Sequence, residues 1–242
     1  MIEAVSSQAE LLTDVLKDVA ARFRGGFSPL VVFDIDDTLF STAKRHLRIL
    51  RELSQEQVWA AALGDIKEAS LRYSIVDTAK ACGISQPPQL GAIREFWVAR
   101  FFKNDYLLED EPLPGASAFC RDLKEGGATV VYMTGRDETM REGTLKALAG
   151  RGFPPPDSLI LKPRFDTPDL EYKTESIERL RALGSVTAAF ENEPAHINLF
   201  QAAFAQSRHF LVGDKHSGKA VAPHPSVIRI RDFRRFDIMP VQ

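Results

Sequence analysis

The chain has 242 residues, 44% of them hydrophobic and 26% charged, with a formal net charge of -2. That composition suits one soluble core, alone or carrying a smaller insert, and argues against fibrous or repeat architectures. It lacks the basic excess that binding a phosphate backbone demands, so nucleic acid is not the default partner.

In chain order, the first residues, MIEAVSSQAELL, place acids where a secretory leader carries positive charge. No 18 apolar residues run together, so the sequence reads as cytoplasmic and without a membrane span. Leu11, Leu12, Val15, Leu16, Val19 and Phe23 recur at helical spacing before Gly25 and Gly26 stop the run. The next segment, PLVVFDI, is short, continuous and apolar, which is the signature of a parallel strand buried on both faces. It runs straight into Asp34, Asp36 and Asp37.

The stretch from Ala43 to Pro112 is rich in helix formers and poor in strand signals, including the nearly unbroken QEQVWAAALGDIKEASLRY over 55–73. It reads as a helical insert over 43–112, between core segments 1–42 and 113–242. Trp59, Phe96, Trp97, Phe101 and Phe102 read as its packing, and Lys44, Arg45 or His46 as groups its first helix could present to a substrate. Four more strand-like segments follow, ATVVYMT, DSLILK, SVTAAFE and RHFLVG, alternating with helical patterns of about 10 to 15 residues. This alternation predicts an α/β fold, a Rossmann-like parallel sheet with helices on both faces, plus the mostly helical insert. Ligands in such folds bind at the carboxyl ends of the strands, where the acids, Thr134, Gly135 and Glu191 fall. Cys82 and Cys120 lack metal or disulfide spacing and read as small buried hydrophobes. The arginines of VIRIRDFRRFD read as a solvated basic edge.

Carboxylates gathered at the end of a buried strand repel one another, and a divalent cation is the simplest remedy; oxygen ligands of this kind suit Mg²⁺. Asp34 and Asp36 can both approach one small space if the backbone bends after the strand, and Thr38 can offer a hydroxyl to an anion.

DIDDTL, read as D-x-D-x-T after an apolar strand, resembles the first motif of the haloacid dehalogenase superfamily in its phosphatase branch. VVYMTGR, about 100 residues on, resembles the second motif; Lys173 in YKTESIERL matches the third, with Lys162 as a rival; and FENEP occupies the place of the fourth. The resemblance implies a phosphatase acting on a small-molecule phosphate ester with Mg²⁺, and a cap formed by 43–112. It makes Asp34 the nucleophile, Asp36 the general acid and base, and Thr134 and Lys173 catalytic. Thr38, Gly135, Arg136 and Lys162 would contact substrate, and Asp34, Asp36, Asn192 and Glu191 would hold the metal. An acid two residues after the nucleophile also separates phosphatases from dehalogenases, since halide leaves without a proton. Which lysine acts, and which of Glu191, Asn192 and Glu193 meets the metal, stay open, as do the substrate and the oligomeric state. Two alternatives are a phosphate-ester binding protein without turnover and a phosphatase acting on nucleic-acid ends.

Overall fold

The computed structural model describes residues 7–235; the first six residues of the N-terminal reading and the last two of VIRIRDFRRFD lie outside the described residues. Helix α1 (Gln8–Arg24) opens on a capping box, in which the Ser7 hydroxyl accepts from the Glu10 N–H and the Glu10 carboxylate from the Ser7 N–H. Strand β1 (Pro29–Phe33) follows and is buried throughout. A tight loop leads to β2 (Phe40–Ser41), and helices α2 (Ala43–Glu56), α3 (Ile75–Ala81), α4 (Pro87–Phe101) and α5 (Asn104–Leu107) fill the insert. The chain returns through β3 (Glu111–Pro112), which pairs antiparallel with β2, so the way into the insert and the way out are hydrogen-bonded together.

The core then alternates: α6 (Ala116–Glu125), β4 (Thr129–Asp137), α7 (Arg141–Gly150), β5 (Ser158–Lys162), α8 (Asp169–Glu175), α9 (Ile177–Leu183), β6 (Ser185–Glu191), α10 (Pro194–Ala203), β7 (Arg208–Val212) and β8 (Ile228–Ile230). These strands form one parallel sheet in the order β5-β4-β1-β6-β7-β8. Because side chains alternate along β1, Val31 and Phe33 pack on one face with α1 and α6, through Leu12, Val15 and Phe119. Leu30 and Val32 pack on the other with α8, α9 and α10, through Tyr172, Leu180 and Phe200. Phe33 stacks on Phe190 at 4.8 Å, and Phe190 on Phe210 at 4.6 Å, tying three neighbouring strands together. With β1 at the centre and the chain crossing to either side of it, its carboxyl end lies in the crevice where such sheets bind ligands.

The sequence reading differs from the structure in three places. The helix former run 55–73 is not one helix: Gln57 is extended, and Val58–Leu63 and Glu68–Ser70 are 3₁₀ turns. Gly64 explains the fold-back, since a Cβ there would lie 2.6 Å from the Ser54 hydroxyl of α2. The pattern YKTESIERLRALG is two helices meeting at Ser176. A sixth core strand, β8, lies within the basic segment, where Arg229 and Arg231 are exposed as read, while Arg231 and Arg234 pair with Asp232 and Arg235 with Asp122. No helix among the described residues is long and apolar enough to cross a membrane.

Candidate active site

Asp34 is the first residue beyond β1, and its N–H donates to the Phe190 carbonyl at 3.0 Å, so the sheet bond continues one residue past the strand and fixes the acid at its carboxyl edge. Its Oδ2 accepts from the Thr38 hydroxyl at 3.0 Å and its Oδ1 from Lys173 Nζ at 2.8 Å. Lys173, on α8, also donates to Glu191 Oε2 at 2.5 Å, at the end of β6. All three are nearly inaccessible to water. Burial, followed by the Glu191 charge, pushes the Asp34 carboxyl up to about 8. Burial would also raise Glu191, but Lys173 outweighs it and draws that carboxyl down to about 2. One ammonium thus serves two carboxylates.

Asp36 points elsewhere. Its carboxylate accepts from Arg136 Nη2 at 2.5 Å and from Arg45 Nη2 at 2.7 Å, and both guanidiniums also bond Asp110, at 2.8 and 2.5 Å. Burial opposes the charged form, yet the two arginines hold Asp36 well below the usual carboxylate range. Arg45 lies on the first helix of the insert, Asp110 just before its exit strand, and Asp36 and Arg136 in the core, so this cluster clasps insert to core. Arg136, read from sequence as a substrate contact, is committed to this cluster and to the Thr144 hydroxyl. Removing Asp110, which is fully buried, leaves two buried guanidiniums sharing one carboxylate. Asp110→Ala is therefore expected to cost about 3–5 kcal/mol, read as a lower urea midpoint with unchanged slope.

The other residues singled out from sequence fall as follows. Thr38 bridges, with its hydroxyl 3.0 Å from Asp34 Oδ2 and 3.3 Å from Asn192 Oδ1. Asp37 takes a left-handed backbone (φ 55°) and its carboxylate accepts from the Thr42 N–H and hydroxyl, closing the turn after β1. Thr134 is buried in the cavity wall and accepts from the Arg136 N–H. Gly135 runs against α8 so closely that a Cβ would stand 2.9 Å from an Asp169 carboxylate oxygen. Lys162 turns into its own loop, bonding the Phe165 and Thr167 carbonyls at 3.1 Å and Asp169 at 2.8 Å; it does not line the cavity above Asp34. Lys173 is the lysine brought to Asp34.

Glu191 has its oxygens engaged, Oε1 by the N–H groups of Asn192 and Glu193 and Oε2 by Lys173. Glu193 accepts from the Ser217 N–H and hydroxyl and so holds the loop after β7. Among the described residues no group of three or more His, Cys, Asp or Glu is placed to hold a metal ion. The oxygens that converge are of mixed kind: Asp34 Oδ2 and Asn192 Oδ1 around one hydroxyl, with the Asp36 carbonyl in the same loop. Oxygen-only donors of low charge fit Mg²⁺, which keeps several waters and takes few protein ligands.

Over this edge lies a cavity of about 310 Å³, reached by Asp34, Thr134, Lys173 and Asn192 from the core and by His46, Tyr73, Trp97, Phe101 and Phe102 from the insert. The aromatics read as packing therefore divide. Trp59, Phe96 and Trp97 do pack on the insert's own core of Leu50, Leu53, Ala79 and Ile93, and Trp97, with Phe101 and Phe102, also reaches the cavity. Lys44 pairs with Glu111, Arg45 with the acids described, and His46 alone of that trio lines the cavity.

Fold and site together define an α/β enzyme of the hydrolase class. The chain belongs to the haloacid dehalogenase-like hydrolases, a family that matches residues 29–203. Among solved structures it is similar to a haloacid dehalogenase-like family protein of Streptococcus pneumoniae, with 10% identity and a TM-score of 0.56 over 86% of this chain and 95% of that one. It is similar to CbbY from Rhodobacter sphaeroides in complex with phosphate, at 17% identity and TM-score 0.50 over 86% and 95% of the two chains. A predicted phosphatase from Clostridium acetobutylicum gives 12% identity and TM-score 0.50 over 84% and 94%. These likenesses are of fold. No curated protein matches the sequence.

Proposed function

We propose that the protein is a Mg²⁺-dependent phosphatase that cleaves a small phosphorylated metabolite through an aspartyl-phosphate on Asp34. The observation that carries this reading is the Lys173 ammonium bonded at once to Asp34 and Glu191 on the carboxyl edge of the sheet. An Asp34 oxygen attacks phosphorus, the ester P–O bond breaks, and the leaving oxygen takes a proton; water then cleaves the acyl phosphate and frees Asp34. Lys173 offsets the repulsion between two anions, and Thr134 with the N–H groups after Asp34 holds the phosphoryl oxygens. Asp34, the Asp36 carbonyl and Asn192 are the groups to hold Mg²⁺, which when bound supplies further positive charge at the phosphoryl group.

Asp36 is the group to carry the proton. Ion-paired as described it is a poor acid, so its carboxylate must leave Arg45 and Arg136 first: shifting the insert takes Arg45 away, and Asp36 itself must turn from Arg136, which stays with the core. The insert 43–112 is accordingly a cap, and the small cavity favours a metabolite over a nucleic-acid end. The test is hydrolysis of 4-nitrophenyl phosphate and a panel of metabolite phosphates with Mg²⁺. Release of phosphate that stops on chelation is expected; metal-independent release, or none on any ester, would sink the reading. The pairing of Asp36 favours one second reading, a phosphate-ester binder without turnover, for which the same panel would give tight calorimetric binding and no product.

A further inference from the structure

The cavity has two chemically different halves. The floor is polar, and the roof is aromatic. Trp97 Nε1 donates to His46 Nδ1 at 3.0 Å, and the two ring planes lie 14° apart with centroids 5.6 Å apart. The bond and the near-parallel planes hold the two rings together as one plate. Phe101 backs the plate, 4.3 Å from Trp97 and 4.8 Å from His46, and Arg45 in turn lies 4.1 Å from the Phe101 ring. Phe102 stands edge-on to Trp97. The plate is thus wedged in place rather than free to turn.

The bond also fixes the imidazole's tautomer. Indole N–H can only donate, so Nδ1 must accept, and the proton of a neutral ring sits on Nε2. The ring is kept neutral, since burial together with the Arg45 and Lys215 charges pushes His46 down to about 3. Among the described residues Nε2–H has no protein partner, and it is not a buried orphan, so it opens toward the cavity His46 lines.

We infer that the substrate's leaving group carries a flat nitrogen heterocycle that lies against Trp97 and takes a hydrogen bond from His46 Nε2–H. This rests on the phosphatase reading for what happens to the phosphoryl group, and goes beyond it in naming the alcohol. A sugar or glycerol phosphate has no π-face for such a plate, while a heterocycle offers both the face and a ring nitrogen or carbonyl as acceptor. About 310 Å³ is at the lower end of the range for small-ligand sites, roughly 300–1,000 Å³, so one ring system and a phosphate fit better than a dinucleotide.

The experiment compares kcat/KM with Mg²⁺ for three arms: nucleoside 5′-monophosphates, a phosphorylated pyridine alcohol, and sugar or glycerol phosphates. One of the first two is expected to lead the third by roughly 10- to 100-fold, the span of a lost aromatic stack, and which of them leads identifies the ring. Trp97→Leu, close in apolar character and less disruptive than Trp97→Ala, should lower kcat/KM for the ring phosphates by roughly 10-fold or more beyond any fall for the sugar phosphates, and Trp97→Phe, which keeps a ring face but not the N–H to His46, should restore part of that difference. A sugar phosphate as best substrate, or an equal fall in all arms with Trp97→Leu at unchanged thermal midpoint, would overturn the inference. If no ester turns over, the phosphatase reading fails by itself. Calorimetry on the same three arms then decides the inference: tighter binding of a ring phosphate supports it, and equal affinities overturn it.

Discussion

Asp34→Asn is expected to abolish turnover, by on the order of 10⁴- to 10⁶-fold, while leaving the fold intact. The amide keeps the shape and can still meet Thr38 and Lys173, but it cannot attack phosphorus or leave as a carboxylate, so the covalent route closes. Steady-state phosphate release checks this, and activity within tenfold of the parent would remove Asp34 from the chemistry. The same variant carries a second expectation, with a sign. In the metal-free protein the Asp34 carboxyl is raised from 3.8 to about 8 by burial and the Glu191 charge. Between those values the folded state binds the proton that the unfolded state releases. Stability from Asp34 is therefore fully present below about pH 4 and is lost as pH rises through about 8. Glu191, lowered from 4.5 to about 2, acts in the opposite sense, contributing above about pH 4.5 and losing that contribution as pH falls through 2. Asp34→Asn should remove only the first slope: chelator-treated variant and parent, melted from pH 5 to 9, should diverge upward in favour of the variant as pH rises. Parallel curves would mean that Asp34 is not the strained carboxyl.

The strands and the order of the motifs were legible because a parallel strand buried on both faces must be continuously apolar, and a polar residue at its end is then conspicuous. β1, β4, β5, β6 and β7 all announce themselves in this way. β8 does not, since it is three residues long, at the edge, with Arg229 exposed in its middle. The pair β2 and β3 is invisible for a different reason: two residues make no periodicity, and the partners are joined only after the insert returns. The clasp of Asp36, Arg45, Asp110 and Arg136 was missed because a charge meant for burial looks, in sequence, like one meant for water. Asp110 sits in a run of acids, EDE, whose other members are half exposed. Trp97 and His46 lie 51 positions apart, so their bond leaves no local trace. Sequence thus marked the floor of the site, where chemistry restricts residue types, and of its roof, where shape does, only His46 among three candidates.

Lys173→Met tests whether the floor is held together by its charge. The substitution keeps most of the apolar stem and deletes the ammonium that Asp34 and Glu191 share, both buried and 2.8 and 2.5 Å away. Two buried carboxylates without a cation cannot both stay ionised, and breaking a buried pair in this way costs about 3–5 kcal/mol. At about 2–4 °C per kcal/mol for a chain of this size, the thermal midpoint should fall by roughly 6–20 °C. Turnover should fall too, by about 10²- to 10³-fold or more, because a donor aimed at developing negative charge is lost along with the charge that lets Asp34 approach phosphate. The two losses can be separated. Adding Glu191→Gln removes one of the stranded carboxylates, so the double variant should regain much of the lost stability and none of the activity. A double variant no more stable than Lys173→Met would place the destabilisation in packing, and a single variant with full activity would make Lys173 a structural cation that merely sits beside the nucleophile.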